Sequence, residues 1–222
     1  MYKIVFLVGK PLSGKSSIAS ELSKFDEFQE ILSYTDREKR YEEENSHIFK
    51  SFSEIQSILK NNPKIVASTN ISGYRYFSLE KSFSEDVINV YVVDKQGVID
   101  TINYFQDKAV YMICYIDRDD ENNSMNLSDI DKKRLSRNID VPYHLCCDFR
   151  INNNFISLDS VVNLIKTLCL FNGGFFQKYS DYSNVVIESI QEKEEDFKNK
   201  IKLYENLLNE TKKEYERFKQ DV

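Results

Sequence analysis

The chain opens on an unbroken apolar run, Ile4-Val5-Phe6-Leu7-Val8, behind Tyr2-Lys3 and ahead of Gly9. A continuous β-branched run closed by glycine predicts a strand buried on both faces. After Gly14, apolar residues recur at Ile18, Ala19 and Leu22. That helical spacing predicts a helix over residues 16–22. Residues 31–34 read as a short strand, and residues 36–46 form a very polar stretch broken by His47-Ile48-Phe49. Residues 51–59 predict a helix with Ser51 or Ser53 as its N-cap, ended by Asn61-Asn62-Pro63. Residues 64–68 and 74–77 are strand-like, with Gly73 as the turn between them. Residues 87–94 form a β-branched run that ends in Asp94.

Further on, a helix is expected over residues 97–105, a buried strand over 109–116 and a loop over 117–126. A charged helix over 127–139, stopped by Pro142, precedes a strand over 146–151 and a helix over 158–170. Strands alternating with helices at this spacing indicate βαβ units around a parallel sheet.

Asn172-Gly173-Gly174 is the clearest break. Beyond it, Ile187, Ile190, Phe197, Ile201, Tyr204, Leu208, Thr211, Tyr215 and Phe218 recur mostly at steps of three and four, with Glu194 the poor fit. Charged flanks on such a register favour a self-associating coiled coil; the alternative is one amphipathic helix folded back on the body of the chain. The expected organisation is therefore a domain over residues 1–172, a linker over 173–184 and a C-terminal helix over 185–222.

The totals change this picture little. The chain has 222 residues and a net charge of −6 with acids and bases intermixed, which speaks against a nucleic-acid footprint. No apolar run approaches the roughly 20 residues of a membrane span. Met1-Tyr2-Lys3 leads straight into the first strand, without the pattern of a cleavable signal. Cys114, Cys146, Cys147 and Cys169 show no C-x-x-C spacing, so buried thiols in a reducing, cytoplasmic setting are expected.

Candidate chemistry centres on Gly9-Lys10-Pro11-Leu12-Ser13-Gly14-Lys15-Ser16, which fits G-x-x-x-x-G-K-[ST] between a strand and a helix. Phosphates are held by converging backbone N–H groups, and glycines permit the backbone angles such a cradle needs. The expected phosphate-binding residues are Gly9, Ser13, Gly14, Lys15, Ser16 and Ser17. Lys15 would reach the β and γ phosphates of ATP, and the Ser16 hydroxyl would ligate Mg²⁺. Asp94, delivered at the end of an apolar strand, is the second expected metal ligand; an ordinary helix-capping aspartate is the alternative. His144 has no partner at metal or triad spacing and reads as a packing or surface residue.

In one order along residues 2–170, these pieces resemble the guanylate kinase family. Ser33 to Arg40 resembles its Ser-x-x-x-Arg-x-x-Arg segment, and Gly73 to Ser78 its Gly-x-Tyr-Tyr-Gly-Ser turn. Asp94-Lys95-Gln96-Gly97 resembles Asp-x-Gln-Gly, Lys133-Arg134-Leu135 the Lys-Arg-Leu after the lid, and Ile151 to Asn154 the Val-Asn-Asp-Asp turn near the donor adenine. The resemblance implies a three-layer P-loop fold with a central parallel sheet, an acceptor-binding subdomain over residues 33–81 and a lid over 117–132. It also implies phosphoryl transfer from ATP to GMP or dGMP, with Mg²⁺. Ser33, Arg37, Arg40, His47, Tyr76 and Ser78 would then hold the acceptor nucleotide. Arg134 and Arg137, one helical turn apart, would face the transferring phosphoryl group.

The departures are specific. The family's guanine-reading glutamate falls on Ala67, its phosphate-binding tyrosine on His47 or Phe49, and a first aspartate on Val92. Phe77 replaces a glycine of the turn, and between Asp117 and Lys132 only Arg118 remains of the lid arginines. Two functions are therefore weighed: a nucleoside-monophosphate kinase, and a non-catalytic ATP-binding or assembly module acting through residues 185–222. The intact phosphate loop favours the first, and deletion beyond Gly174 would discriminate them.

Overall fold

The computed structural model describes residues 1–118, 147–154, 156–179 and 181–182. The expected helix over 127–139, with Arg134 and Arg137, and the heptad pattern of 185–222 lie outside the described residues. So do His144, Cys146 and most of the expected lid.

Five strands form a wholly parallel sheet: β1 (Tyr2–Val8), β2 (Phe28–Ile31), β7 (Ile88–Val92), β8 (Ala109–Asp117) and β9 (Phe149–Asn152). Their order is β2-β7-β1-β8-β9. β1 pairs β7 from Lys3↔Ile88 to Leu7↔Val92 and β8 from Tyr2↔Ala109 to Val8↔Tyr115. Flanked on both sides, Ile4 through Leu7 have no exposed surface, which is why this strand lacks the alternation of a half-exposed one.

Alternate residues of β1 face opposite layers. Val5 and Leu7 pack with Ile18 and Leu22 of α1 (Lys15–Leu22) and with Val161 and Ile165 of α4 (Leu158–Leu170). On the other face, Phe6 stacks on Tyr111, and the Tyr2 ring meets Phe105 of α3 (Lys95–Phe105). The result is a three-layer α/β sandwich. Among the described residues, no helix is long and apolar enough to cross a membrane.

A second sheet is built from β3 (Tyr34–Thr35), β4 (Ile48–Phe49), β5 (Ile65–Ile71) and β6 (Tyr74–Leu79), in the order β4-β3-β6-β5. The expected strand over 31–34 is thus split, Ile31 closing β2 and Tyr34 opening β3 in the other sheet. β5 and β6 are antiparallel, joined by Ser72 (φ 55°) and Gly73 (φ 84°). Two positive φ values in a two-residue loop make a type I′ turn, whose twist suits a hairpin. Helix α2 (Phe52–Lys60) begins at Ser51, whose hydroxyl accepts from Glu54 N–H while the Glu54 carboxylate accepts from Ser51 N–H. This capping box satisfies two end donors at once, and Ile55 then packs on Phe77 and Leu79.

The chain after α4 returns to the parallel sheet. Gln177 and Tyr111 exchange backbone hydrogen bonds at 2.7 and 2.9 Å. Tyr182, 2% exposed, donates its phenol to Asp148 Oδ2 at 2.6 Å, and that oxygen also accepts from Ile113 N–H at 2.7 Å. The compact unit accordingly runs to Tyr182, past the glycine pair where the domain was expected to end. Cys114 and Cys169 are buried free thiols; Cys147, expected buried, is exposed just ahead of β9.

Candidate functional site

The loop from Gly9 to Gly14 leaves the C-terminal end of β1 and runs straight into α1. Two of its glycines are required by their surroundings. Gly9 has φ +144°, and a Cβ there would lie 2.3 Å from Ile116 O of β8. Gly14 has φ +95°, and a Cβ there would lie 2.6 Å from Asn153 Nδ2. Both backbone angles disfavour a side chain, and at Gly9 the backbone carbonyl leaves no room for one; at Gly14 a side chain would have to displace the Asn153 amide.

Gly14 is also the N-cap of α1, and no side chain caps the helix. The orphan N–H groups of the first turn therefore face a site with a positive dipole end, as anion sites require. Ser16 and Ser17 are exposed in that turn. Lys15 folds back over the loop, its Nζ donating to Gly9 O at 2.8 Å, Lys10 O at 2.5 Å and Ser13 Oγ at 3.1 Å. Ser13 is buried beneath it.

Asp94 stands just past β7, the neighbour of β1, with Val93 N–H donating to Leu7 O at 3.4 Å. Its Oδ1 accepts from Gly97 N–H at 2.8 Å, so Asp94 is the N-cap of α3. Both strand-end positions expected from the sequence thus fall on one edge of the sheet, the edge where ligands of parallel sheets bind.

Polar contacts tie the four-stranded sheet and the segment leading into it to this edge. Ser33 Oγ lies 3.1 Å from the Tyr91 phenol of β7, and Ser68 N–H donates to Asp100 of α3 at 3.3 Å. Burial pushes the Tyr91 phenol up, with the hydroxyls of Ser33 and Ser78 acting against it. Ser78 is wholly buried, directly across from Ala67 in the β5–β6 register.

Arg37, Arg40, His47 and Tyr76 do come together here. Arg37 Nε donates to Tyr76 Oη at 3.1 Å, and its guanidinium lies 5.1 Å from the Phe49 ring centre. His47 packs edge-on against both Phe49 and Tyr76. The centre of the cluster is Glu44, a residue the sequence reading passed over as part of the acidic run Glu42-Glu43-Glu44. It is 1% exposed and accepts from Arg37, Arg40 and Ser46. Burial opposes its ionisation, but the hydrogen bonds from Arg37, Arg40 and Ser46 outweigh it and hold the carboxyl at about 2.

Asn153, just after β9, is the other contact missed in the sequence. Its Nδ2 donates to Ser13 O at 2.8 Å, and its N–H donates to Asp117 O at 2.7 Å. Nearby, Arg150 pairs with Asp117 at 2.5 and 3.0 Å.

No protein-family model matches the chain, and no curated protein matches it either. Among solved structures it is similar to the guanylate kinase from Anaplasma phagocytophilum, with a TM-score of 0.52 and 17% identity. The match covers 75% of this chain and 83% of that one. The fold is guanylate-kinase-like.

Proposed function

We propose that the chain is a nucleoside-monophosphate kinase, transferring a phosphoryl group from ATP to a nucleoside monophosphate, with GMP or dGMP the leading acceptor. The observation that carries this reading is the Gly9–Ser16 loop at the end of β1, with Lys15 gathered over it and an uncapped helix start behind it. In the reaction an oxygen of the acceptor phosphate forms a bond to the γ phosphorus, the bond to the β-bridging oxygen breaks, and ADP leaves. Alignment and charge neutralisation do most of the work in such transfers.

The loop N–H groups and Lys15 would hold the donor phosphates, Lys15 leaving the carbonyls of Gly9 and Lys10 to do so. Ser16, exposed in the first turn of α1, and Asp94 would hold Mg²⁺, which neutralises phosphate charge when bound. Arg37 and Arg40 would meet the acceptor phosphate, with His47 and Tyr76 beside them; Ser33 and Ser78 would border its base. Arg134 and Arg137 would attend the transferred group. With Ala67 where a base-reading carboxylate is expected, the acceptor base is the open part of this reading.

The test is ADP formation from ATP and Mg²⁺ with GMP, dGMP, AMP, CMP, UMP and dTMP in turn, with Lys15→Ala as the blank. Lys15-dependent turnover with one acceptor is the expected result. ATP binding without turnover on any acceptor would sink the kinase reading and favour an ATP-binding module that assembles through residues 185–222.

A further inference from the structure

The amide of Asn153 has no part in the chemistry above, yet it touches the phosphate loop from the far end of the sheet. Its Nδ2 reaches Ser13 O at 2.8 Å across 140 residues of sequence. Its own N–H is fixed to Asp117 O at 2.7 Å, and the turn that carries it is braced by Asn152 Oδ1 accepting from Asn154 N–H at 2.9 Å. Gly14, the next residue after Ser13, presents its bare Cα to the same amide, since a Cβ would lie 2.6 Å from Nδ2.

We propose that Asn153 is a positioning residue that sets the direction of the Gly14 N–H and, through it, the grip of the loop on the donor phosphates. This rests on the kinase reading for the identity of the ligand. The reason is peptide geometry. The Ser13–Gly14 unit is planar and trans, so the Ser13 C=O and the Gly14 N–H point in opposite directions. Holding that oxygen on Asn153 aims the Gly14 N–H away from β9, where it joins the first-turn N–H groups of α1. A peptide turned the other way would offer phosphate the negative end of a carbonyl in place of a donor.

Ser13 is also held by Lys15 Nζ on its Oγ at 3.1 Å, but that bond is to the side chain and not to the peptide whose direction matters. Ser13 N–H makes only a long bond, 3.4 Å, to Lys10 O within the loop. The Asn153 amide instead ties the loop to the end of β9, whose pairing with β8 runs from Cys114↔Phe149 to Asp117↔Asn152. A loop preorganised in this way spends less binding energy on ordering itself.

The test is binding of ATP, tripolyphosphate and adenosine to the full chain and to Asn153→Ala and Asn153→Asp. Asn153→Ala removes the donor, and tripolyphosphate and ATP should bind about 5- to 10-fold more weakly, the effect of one lost neutral hydrogen bond. Asn153→Asp sets a carboxylate against the Ser13 carbonyl and should bind more weakly still. Adenosine, whose base the resemblance places near residues 151–154, should lose less affinity than tripolyphosphate in either variant. Variants that bind ATP as tightly as the parent chain would overturn the inference, as would an equal loss for adenosine, which marks a base contact. Should Asn153→Asp fail to fold, Asn153→Ala, which only removes atoms, decides the matter. A parent chain that bound no ATP would remove the kinase reading and this inference together, whereas a parent that bound ATP beside unaffected variants would remove the inference alone.

Discussion

Glu44 accepts from Arg37 through both carboxylate oxygens, at 2.7 and 3.2 Å. Arg40 donates to it from its backbone N–H at 2.7 Å and from its guanidinium at 3.0 Å. Two cations assigned to an incoming phosphate are thus already arranged around an anion that the chain supplies. Removing one partner of a buried pair leaves the other charge uncompensated, which costs about 3 kcal/mol or more. Glu44→Ala should lose stability on that scale in urea unfolding, with Glu44→Gln intermediate. Added inorganic phosphate should restore stability to Glu44→Ala more than it stabilises the parent chain.

The same carboxyl sets an acid limit. Its value in the fold is about 2 against an ordinary 4.5, so the folded state holds the ionised form more firmly than the unfolded chain does. Its contribution is full above pH 4.5 and is lost as pH falls through about 2. Acid unfolding followed by circular dichroism should begin at lower pH in the parent chain than in a variant lacking Arg37, such as Arg37→Ala.

Glu30 on β2 titrates in the opposite sense. Burial raises its carboxyl from 4.5 to about 7, so the fold binds its proton more tightly than the unfolded chain. Stability should therefore decline as pH rises from about 4.5 to about 7 and then level off. Glu30→Gln should remove that slope, melting higher than the parent at pH 8 and close to it at pH 4.

At Gly9 a methyl group meets both a positive φ of 144° and the Ile116 carbonyl at 2.3 Å. Gly9→Ala should lose about 1–3 kcal/mol of stability, the scale of a strained backbone position. ATP binding should fall with it, because relief requires β1 and β8 to move apart beside the loop.

Ala67 is buried opposite Ser78. A carboxylate placed there would be buried, a cost that N–H donors of a bound base would offset. Ala67→Glu should melt lower than the parent without ligand and recover with GMP, and its turnover with GMP should rise. No gain with GMP would mean that the acceptor pocket is built differently.

Local signals carried much of this architecture. The strand Tyr2–Val8, the glycine loop and the helix Leu158–Leu170 are each specified by residues adjacent in sequence and were legible there, as was a serine cap on α2, which the structure settles as Ser51 over Ser53. What escaped is long-range. Glu44 looks like surface because its neighbours Glu42 and Glu43 are charged, and only the folding of residues 37–46 around it removes it from water. Asn153 reads as one of three turn asparagines until β9 pairs with β8 and brings it to Ser13. Asp94 was read as the last residue of its strand, but β7 ends at Val92 and the visible bond of Asp94 is to Gly97, a helix cap; its role toward a metal rests on the proposed function. The closing of β8 by Gln177 was hidden by the glycine pair, which breaks a helix without ending a domain.

That last pairing decides where the chain can be shortened. A fragment ending at Gly174 would leave the N–H and C=O of Tyr111 in β8 without their Gln177 partner and would strip Tyr182 from the buried carboxylate of Asp148. An open β margin is a template for a strand from another molecule. Precipitation of such a fragment would therefore mix the loss of these contacts with the loss of residues 183–222. A cut after Tyr182 keeps both contacts, so the contribution of residues 183–222 can be read from solution behaviour.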